Sequence, residues 1–343
     1  MADASSLVPP MLEEYGRATR VALCDYLGPR EPRRHLYSLV AEYPRRGGRM
    51  LRPSLCIATA RAFGGSVDEA VRTAAAIELL HNASLVHDDV EDESEERRGR
   101  PTLHALHGVD MAVNVGDALS LLGIRALVDN QRTLGERLAL RLVEEAGRMA
   151  QETVEGQAME LGWRRDNAVE LTEADYLNMV LKKTCWCTTI FPLRVGAMIG
   201  TRTPLQTDQF VRFGFFLGAA FQIQDDLLNL VGDPERYGKE LDGDLWEGKR
   251  TLMLIEFAGH AGPDELGRLR DVLSRPRRER RPDDVRWLRE RLDAYGCIAH
   301  AQKIAQGLAG AALHEYGRLF AGLPDTRDRR FIEGVVTWIL ART

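Results

Sequence analysis

Two adjacent aspartates stand in the middle of an apolar helical run. The stretch Phe221-Gln222-Ile223-Gln224-Asp225-Asp226-Leu227-Leu228-Asn229-Leu230 sits in a segment, Thr207 to Leu230, that meets no helix breaker before Gly232-Asp233-Pro234. Unpaired carboxylates buried in such a helix are strongly destabilising. Any fold containing this helix must therefore bring compensating charge to its centre. A second acidic group, Asp88-Asp89-x-x-Asp92, ends another helical run, which opens at the capping-box pattern Ser66-Val67-Asp68-Glu69 and continues through an Ala-rich stretch to Leu85. At i, i+1 and i+4, Asp88 and Asp92 share a face one turn apart and Asp89 leans beside them.

The rest of the chain reads as helix too. Glu136–Gly156, Thr172–Ile199, Leu266–Leu273, Asp283–Tyr295 and Ile298–Leu319 carry helical periodicity, and no alternating β-branched series appears. The expected fold class is all-α. No linker or repeat divides residues 1–343, so one domain is expected, and the Arg275–Arg281 stretch reads as a solvated loop. Residues 1–6 lack a basic and apolar leader, and no uninterrupted apolar run is long enough for a membrane span, so a cytoplasmic location without a transmembrane segment is expected. The five cysteines form neither a disulfide framework nor a zinc pattern and are expected to be reduced and buried. A net charge of −5 gives no general attraction to nucleic acid.

Clustered carboxylates on helices suit Mg²⁺, which combines one or two such ligands with substrate phosphates. A solvated acidic face is the rival reading, and Glu91, Glu93, Glu95 and Glu96 keep it open for the first group; the apolar surroundings of Asp225 and Asp226 exclude it for the second. Cationic runs accompany both. Gly47-Gly48-Arg49-Met50-Leu51-Arg52-Pro53 places two cations after a glycine turn, and Arg97-Arg98-Gly99-Arg100-Pro101-Thr102 follows the first acidic group; both patterns suit phosphate oxygens. Of 46 Lys plus Arg only five are Lys, and four of these, Lys182, Lys183, Lys239 and Lys249, fall in two short stretches. Lysine offers a compact, rotatable charge where arginine offers a rigid fork.

Taken in order from Gly47 to Thr251, these motifs, with His81, Gly156-Gln157, Lys183-Thr184, Phe221-Gln222 and Gly238-Lys239 through Lys249-x-Thr251, resemble the trans-isoprenyl diphosphate synthases, or polyprenyl synthetases. The resemblance implies an isoprenoid synthase-type helical bundle around a central cavity, as a homodimer. It implies transfer of an allylic diphosphate's prenyl group to isopentenyl diphosphate, assisted by about three Mg²⁺ ions per site. Asp88, Asp92 and Asp225 would hold the ions directly, with Asp89, Asp226 and Asp244 supporting. Arg97, Lys183, Lys239 and Lys249 would neutralise the leaving diphosphate. Gly48, Arg49, Arg52, His81 and Arg98 would hold isopentenyl diphosphate, while Thr184 and Gln222 would turn oxygen dipoles toward the allylic cation.

Arg49 stands where the family usually has Lys, Met50 replaces a frequent Arg, and Asn229 replaces the last Asp of the second motif, as in the geranylgeranyl diphosphate synthase branch. In resembling enzymes an aromatic residue four or five positions before the first Asp shortens the product. Ser84 and Ala83 are small, and Leu80, Ile77 and Leu119 are candidate floors, so the expected reaction takes farnesyl to geranylgeranyl diphosphate (C20). A C15 or longer product, and an isoprenyl-synthase-like terpene synthase (a lyase), remain alternatives; a lyase would not require Arg49, Arg52 and His81. A phosphohydrolase using His87-Asp88 would need further histidines at matching sites. A non-catalytic partner subunit would be expected to lack the aspartates.

Overall fold

The computed structural model describes residues 4–202, 207–232 and 241–342, and nearly all regular structure among them is helical. The principal helices are α1 (Val8–Leu23), α2 (Leu51–Ala62), α3 (Val67–Glu91), α4 (Val109–Asp129), α5 (Glu136–Arg165) and α6 (Glu173–Val180), continued by π-helical turns over Leu181–Ile190. Beyond these come α7 (Phe191–Thr201), α8 (Gln209–Val231), α9 (Leu252–His260), α10 (Pro263–Ser274), α11 (Pro282–Ala294), α12 (Cys297–Leu319) and α13 (Arg327–Leu340). The expected all-α class and the bundle arrangement hold.

Local chemistry sets the helix starts. Ser66 caps α3 in a full capping box with Glu69, as its sequence pattern requires, and Thr172 with Asp175 does the same for α6. Two short strands, β1 (Glu96–Arg97) and β2 (Arg100–Pro101), pair across a turn whose central residues, Arg98 and Gly99, have φ of 56° and 68°. Positive φ at both positions marks the tight two-residue hairpin, and the glycine takes its half of that without strain. The motif after Asp92 is thus a rigid hairpin.

Several expected boundaries move. The helix expected over Thr172–Ile199 widens into π turns at its centre, α5 continues past Gly156 to Arg165, and α2, α4 and α13 were not anticipated. Arg280, in the supposed solvated loop, is buried and donates to the carbonyls of Leu245, Trp246, Val272 and Leu273. All five cysteines are free, but Cys24 is exposed and Cys187 only partly buried.

Helix α8 is the axis of the bundle. Phe210, Phe213, Leu217, Ala219, Ala220 and Ile223 are at most 1% exposed, so its apolar residues are inside on nearly every side, at about 1.5–3 kcal/mol for each large apolar side chain. It packs on α12 and the π-helical segment, while α3 packs on α4 and α2 on α7. The stretch 109–134 is long and apolar enough by composition to cross a membrane, but 44% of its most apolar window is buried inside the protein. Its outer side leaves Val109, Val113, Leu121, Ile124 and Val128 exposed.

Gly156 sets the distance between α5 and the π turns. A Cβ at this position would lie 2.2 Å from the Lys183 backbone nitrogen. Gly156→Ala must therefore push apart two elements that both face the cavity. We expect it to cost about 1–3 kcal/mol, read as a lowered Tm, with loss of turnover in the surviving folded protein because Lys183 moves with the backbone.

Candidate active site

A cavity of about 730 Å³ lies between α3, α5, the π-helical turns and α8. Asp88 reaches it from α3, Lys183, Thr184, Cys187 and Thr188 from the π turns, and Gln222, Asp225 and Asp226 from α8, with Asp244, Lys249 and Thr251 entering from the segment that follows. Arg49, Arg52, His81, Arg97 and Arg98 line another part of it. The two acidic motifs and the cationic runs therefore share one chamber. Lys239 lies outside the described residues.

Buried cations hold the first motif. Lys183 Nζ donates to Asp88 Oδ1 at 3.2 Å and also to Glu160. Burial would raise the Asp88 pKa, but Lys183, Lys249 and Arg97 outweigh it and keep this carboxyl well below the usual range. Asp92 differs. Its side chain is fully buried, with Lys249 Nζ at 2.7 Å and Arg164 at 2.8 Å. Burial dominates there and raises its pKa to about 6 against the pull of Lys249. Asp92 does not line the cavity, and Lys249 lies between this carboxylate and those of Asp244 and Glu247.

Asp89 turns away from the cavity. It is 1% exposed; Arg97 donates to Oδ1 through Nε at 2.8 Å and through a second nitrogen, and the Tyr43 hydroxyl donates to Oδ2. Oδ1 is thus committed to Arg97 and Oδ2 to Tyr43, and the remaining reach of Arg97 is to Asp88 at 3.4 Å. Lys182 likewise points outward, to Glu152 and Glu155.

Neutral donors hold the second motif. Tyr176 donates to Asp226 Oδ2 at 2.7 Å and the Gln222 amide donates to Oδ1 at 2.6 Å, while Thr184 donates to Gln222 Oε1 at 2.8 Å. This chain fixes directions: the Gln222 oxygen is engaged by Thr184, whose own oxygen keeps its lone pairs. Burial, against those hydrogen bonds, raises the Asp226 pKa to about 6. Asp225 is paired with Arg342 at 3.0 Å. Asn229 is buried and outside the cavity lining; its Oδ1 accepts from the Asp244 backbone at 3.0 Å, so it holds the turn that presents Asp244.

The second cationic group surrounds His81. Arg52 approaches His81 Nε2 at 3.2 Å and donates to Thr188 at 2.8 Å. Arginine can only donate, so Nε2 accepts and the ring proton sits on Nδ1. Burial, then Arg52 and Arg98, push the imidazole pKa well down, so the ring is neutral. Gly48 lies against the Arg98 guanidinium: a Cβ there would lie 2.8 Å from Arg98 Nη2 and would displace the end of that side chain. Arg49 stands over Trp338, its guanidinium 5.8 Å from the ring centroid.

Of the expected chain-length residues only Ser84 lines the cavity. Ala83 is 2% exposed, and Leu80 packs toward Gly123 on α4. Ile77 and Leu119 are also core residues. Sequence reasoning missed Tyr43, Glu160, Tyr176, Trp338 and Arg342. Glu160 alone had a signal, one turn beyond Gln157 on α5; the others come from distant parts of the chain.

Among the described residues no group of three His, Cys, Asp or Glu converges tightly enough to hold a metal unaided. The donor set nevertheless fits Mg²⁺. Asp88, Asp225, Asp226 and Asp244 supply hard oxygens from both sides of one cavity, and the buried carboxylate of Asp92, paired with Lys249 and Arg164, lies outside its lining. Mg²⁺ takes few protein ligands and completes its shell with phosphate oxygens and water.

Comparison with known proteins agrees with this geometry. A family model described as polyprenyl synthetase matches residues 33–292. A short chain isoprenyl diphosphate synthase from Methanothermobacter thermautotrophicus is 36% identical over 227 residues, covering 66% of this chain and 68% of that one. The crystal structure of a geranylgeranyl pyrophosphate synthetase from Pyrococcus horikoshii superposes with a TM-score of 0.85 at 30% identity, covering 98% and 99% of the two chains. A polyprenyl synthase from Caulobacter crescentus, solved in complex with calcium and isoprenyl diphosphate, gives 0.85 at 26% identity, covering 100% and 99%. Other curated relatives are named as geranylgeranyl, geranylfarnesyl and octaprenyl diphosphate synthases.

The raised carboxyls make a pH prediction. Asp92 and Asp226 have an ordinary value of 3.8 and a folded value of about 6. Their protonated forms favour the fold below about pH 3.8, and that contribution is lost as pH rises through about 6. Above pH 6 both are charged and available to a cation. Because Asp88 stays charged across this range, saturating Mg²⁺ should raise Tm by a few degrees at pH 8 and by less at pH 5, measured by calorimetry with and without the ion.

Proposed function

The chain belongs to the polyprenyl synthetase family and is a prenyltransferase of isoprenyl diphosphates; from that premise we propose that it converts farnesyl diphosphate and isopentenyl diphosphate to geranylgeranyl diphosphate. The observation that carries the product assignment is Ser84, a small residue in the cavity wall one helical turn before Asp88 on α3. An aromatic ring there would close the space into which a prenyl chain descends.

In the proposed reaction, Asp88, Asp92 and Asp225 would hold Mg²⁺ at the allylic diphosphate, with Asp226 and Asp244 supporting them. When bound, Mg²⁺ withdraws electron density from the diphosphate oxygens and favours loss of the leaving group. Lys183 and Lys249 balance the charge that grows on that group as the allylic C–O bond breaks. Arg49, Arg52, Arg98 and the Nδ1–H of His81 hold isopentenyl diphosphate. Its double bond forms the new C–C bond, and a proton passes to the released diphosphate. The Thr184 lone pairs lie beside the cationic carbon, while Gln222 and Asp226 keep that hydroxyl oriented.

Incubation with Mg²⁺, farnesyl diphosphate and labelled isopentenyl diphosphate should give labelled C20 diphosphate. Ser84→Phe should shift the product toward C15 with turnover retained. Absence of incorporation would overturn the reading, and an unchanged product in the variant would place the length control elsewhere.

The same proposal includes a homodimer. Val109, Val113, Leu121, Ile124 and Val128 form an exposed stripe along α4, and an apolar stripe of this length is characteristic of an interface. A second copy turning the same stripe inward covers both. Leu121→Glu with Ile124→Glu should convert dimer to monomer in light scattering, and an unchanged mass would move the interface off α4.

A further inference from the structure

A second cavity, of about 380 Å³, lies at the opposite end of α3 from the acidic motif and is lined by Asp25, Tyr26, Arg30, Arg72, Arg125, Asp129 and Arg132. Arg72 and Asp88 are 16 residues apart on that helix, which at 1.5 Å per residue puts about 24 Å between them along its axis. The cavity is thus separate from the catalytic chamber and owes nothing to its chemistry.

Six of its seven lining side chains are ionisable at their heads as Arg or Asp, with four arginines against two aspartates. That surplus stands in a chain whose net charge is −5. Asp129 is the organising group. Arg125 Nε donates to its Oδ1 at 3.1 Å, the buried Tyr26 hydroxyl donates to its Oδ2 at 3.3 Å, and Arg72 donates to its backbone carbonyl at 3.1 Å and to Thr133 at 3.0 Å. Arg30 reaches only the Asp25 backbone carbonyl, at 3.4 Å, and leans over Tyr37. Arg125 is the one arginine of the four that forms an ion pair among the described residues. With Asp129 engaged by Arg125, the remaining guanidiniums of Arg30, Arg72 and Arg132 face only the single carboxylate of Asp25 across the cavity lining, a net positive charge.

We propose that this pocket is a binding site for a phosphate or diphosphate group, carried by a soluble molecule or by the headgroup of an anionic lipid. The chemistry favours phosphate over carboxylate. Arg30, Arg72 and Arg132 enter from the loop after α1, from α3 and from the short helix Gln131–Leu134, three separate elements. Phosphate offers three oxygens that can each meet one fork, whereas a carboxylate offers two in one plane. Asp129 stays engaged by Arg125 and Tyr26 and keeps the floor fixed.

The test measures binding of inorganic diphosphate in EDTA by titration calorimetry, and co-sedimentation with phosphatidylglycerol or phosphatidylcholine vesicles. Arg49→Ala/Arg52→Ala provides a background with the catalytic-end contacts weakened. On that background, adding Arg30→Ala/Arg132→Ala should weaken diphosphate binding or selective binding to phosphatidylglycerol at least tenfold; the first result identifies a soluble ligand, the second a headgroup. In the otherwise unaltered enzyme Arg30→Ala/Arg132→Ala should leave kcat unchanged. Undiminished binding in both arms overturns the proposal, as does a change of oligomeric mass with unaltered phosphate binding, which would assign these arginines to acidic groups of a second copy.

Discussion

The structure depends on placing like charges together and holding them there. Asp88 on α3 confronts Asp225, Asp226 and Asp244 across one cavity, with Asp92 buried just beyond the end of the same helix, and without compensation their repulsion would open the bundle. Compensation arrives from elements far away in the chain: Lys183 from the π turns, Lys249 from the segment before α9, Arg164 from α5 and Arg342 from the residues after α13. Each of these elements is docked by its own apolar face, so the helical core and the charge lattice are mutually dependent. A buried lattice of this kind adds little net stability of its own; its consequence is that the carboxylates stay charged, or nearly so, inside a protein.

The two sides of the chamber solve the same problem differently. On α3 the counter-charges are ionic, and Asp88 is held far below its ordinary pKa. On α8, Asp226 is held by a phenol and an amide, which satisfy its oxygens without neutralising its charge, so it stays near 6. The π-helical turns join the sides, because Lys183 and Thr184 are consecutive yet serve Asp88 and Gln222 respectively. A wide turn allows neighbouring residues to address two different helices, consistent with the concentration of π turns at functional sites.

Much of this was legible in the sequence because it is local. The capping box at Ser66, the spacing of Asp88 and Asp92 and the apolar frame around Asp225 are each written within a few residues, and the ordered motifs name a family. What was not legible is where side chains turn once helices pack. Asp89 follows Asp88 directly but lies on the far side of α3, against Tyr43, a residue from another part of the chain. Ala83 and Ser84 are equally small neighbours, and packing against the core takes one into the interior and leaves the other in the wall. Asn229 stands in the sequence only as the residue replacing the last Asp of the second motif, and its amide oxygen accepts a backbone N–H that positions Asp244. Tyr176 and Arg342 carry no motif at all and become part of the site only through the tertiary fold.

The rarity of lysine gains a physical meaning from these contacts. Arg97 grips Asp89 with two nitrogens and Arg280 satisfies four carbonyls, both arrangements that use the planar fork to fix structure. Lys183 and Lys249 do the opposite: each places one rotatable ammonium among several carboxylates, Asp88 and Glu160 for the first and Asp92, Asp244 and Glu247 for the second. A point charge can transfer from a carboxylate to an incoming diphosphate oxygen by a small rotation, while a bidentate arginine would have to break two bonds at once. In a chain that otherwise uses arginine almost throughout, lysine persists at 183 and 249, where the proposed reaction needs a cation able to change partners as charge moves onto the leaving group.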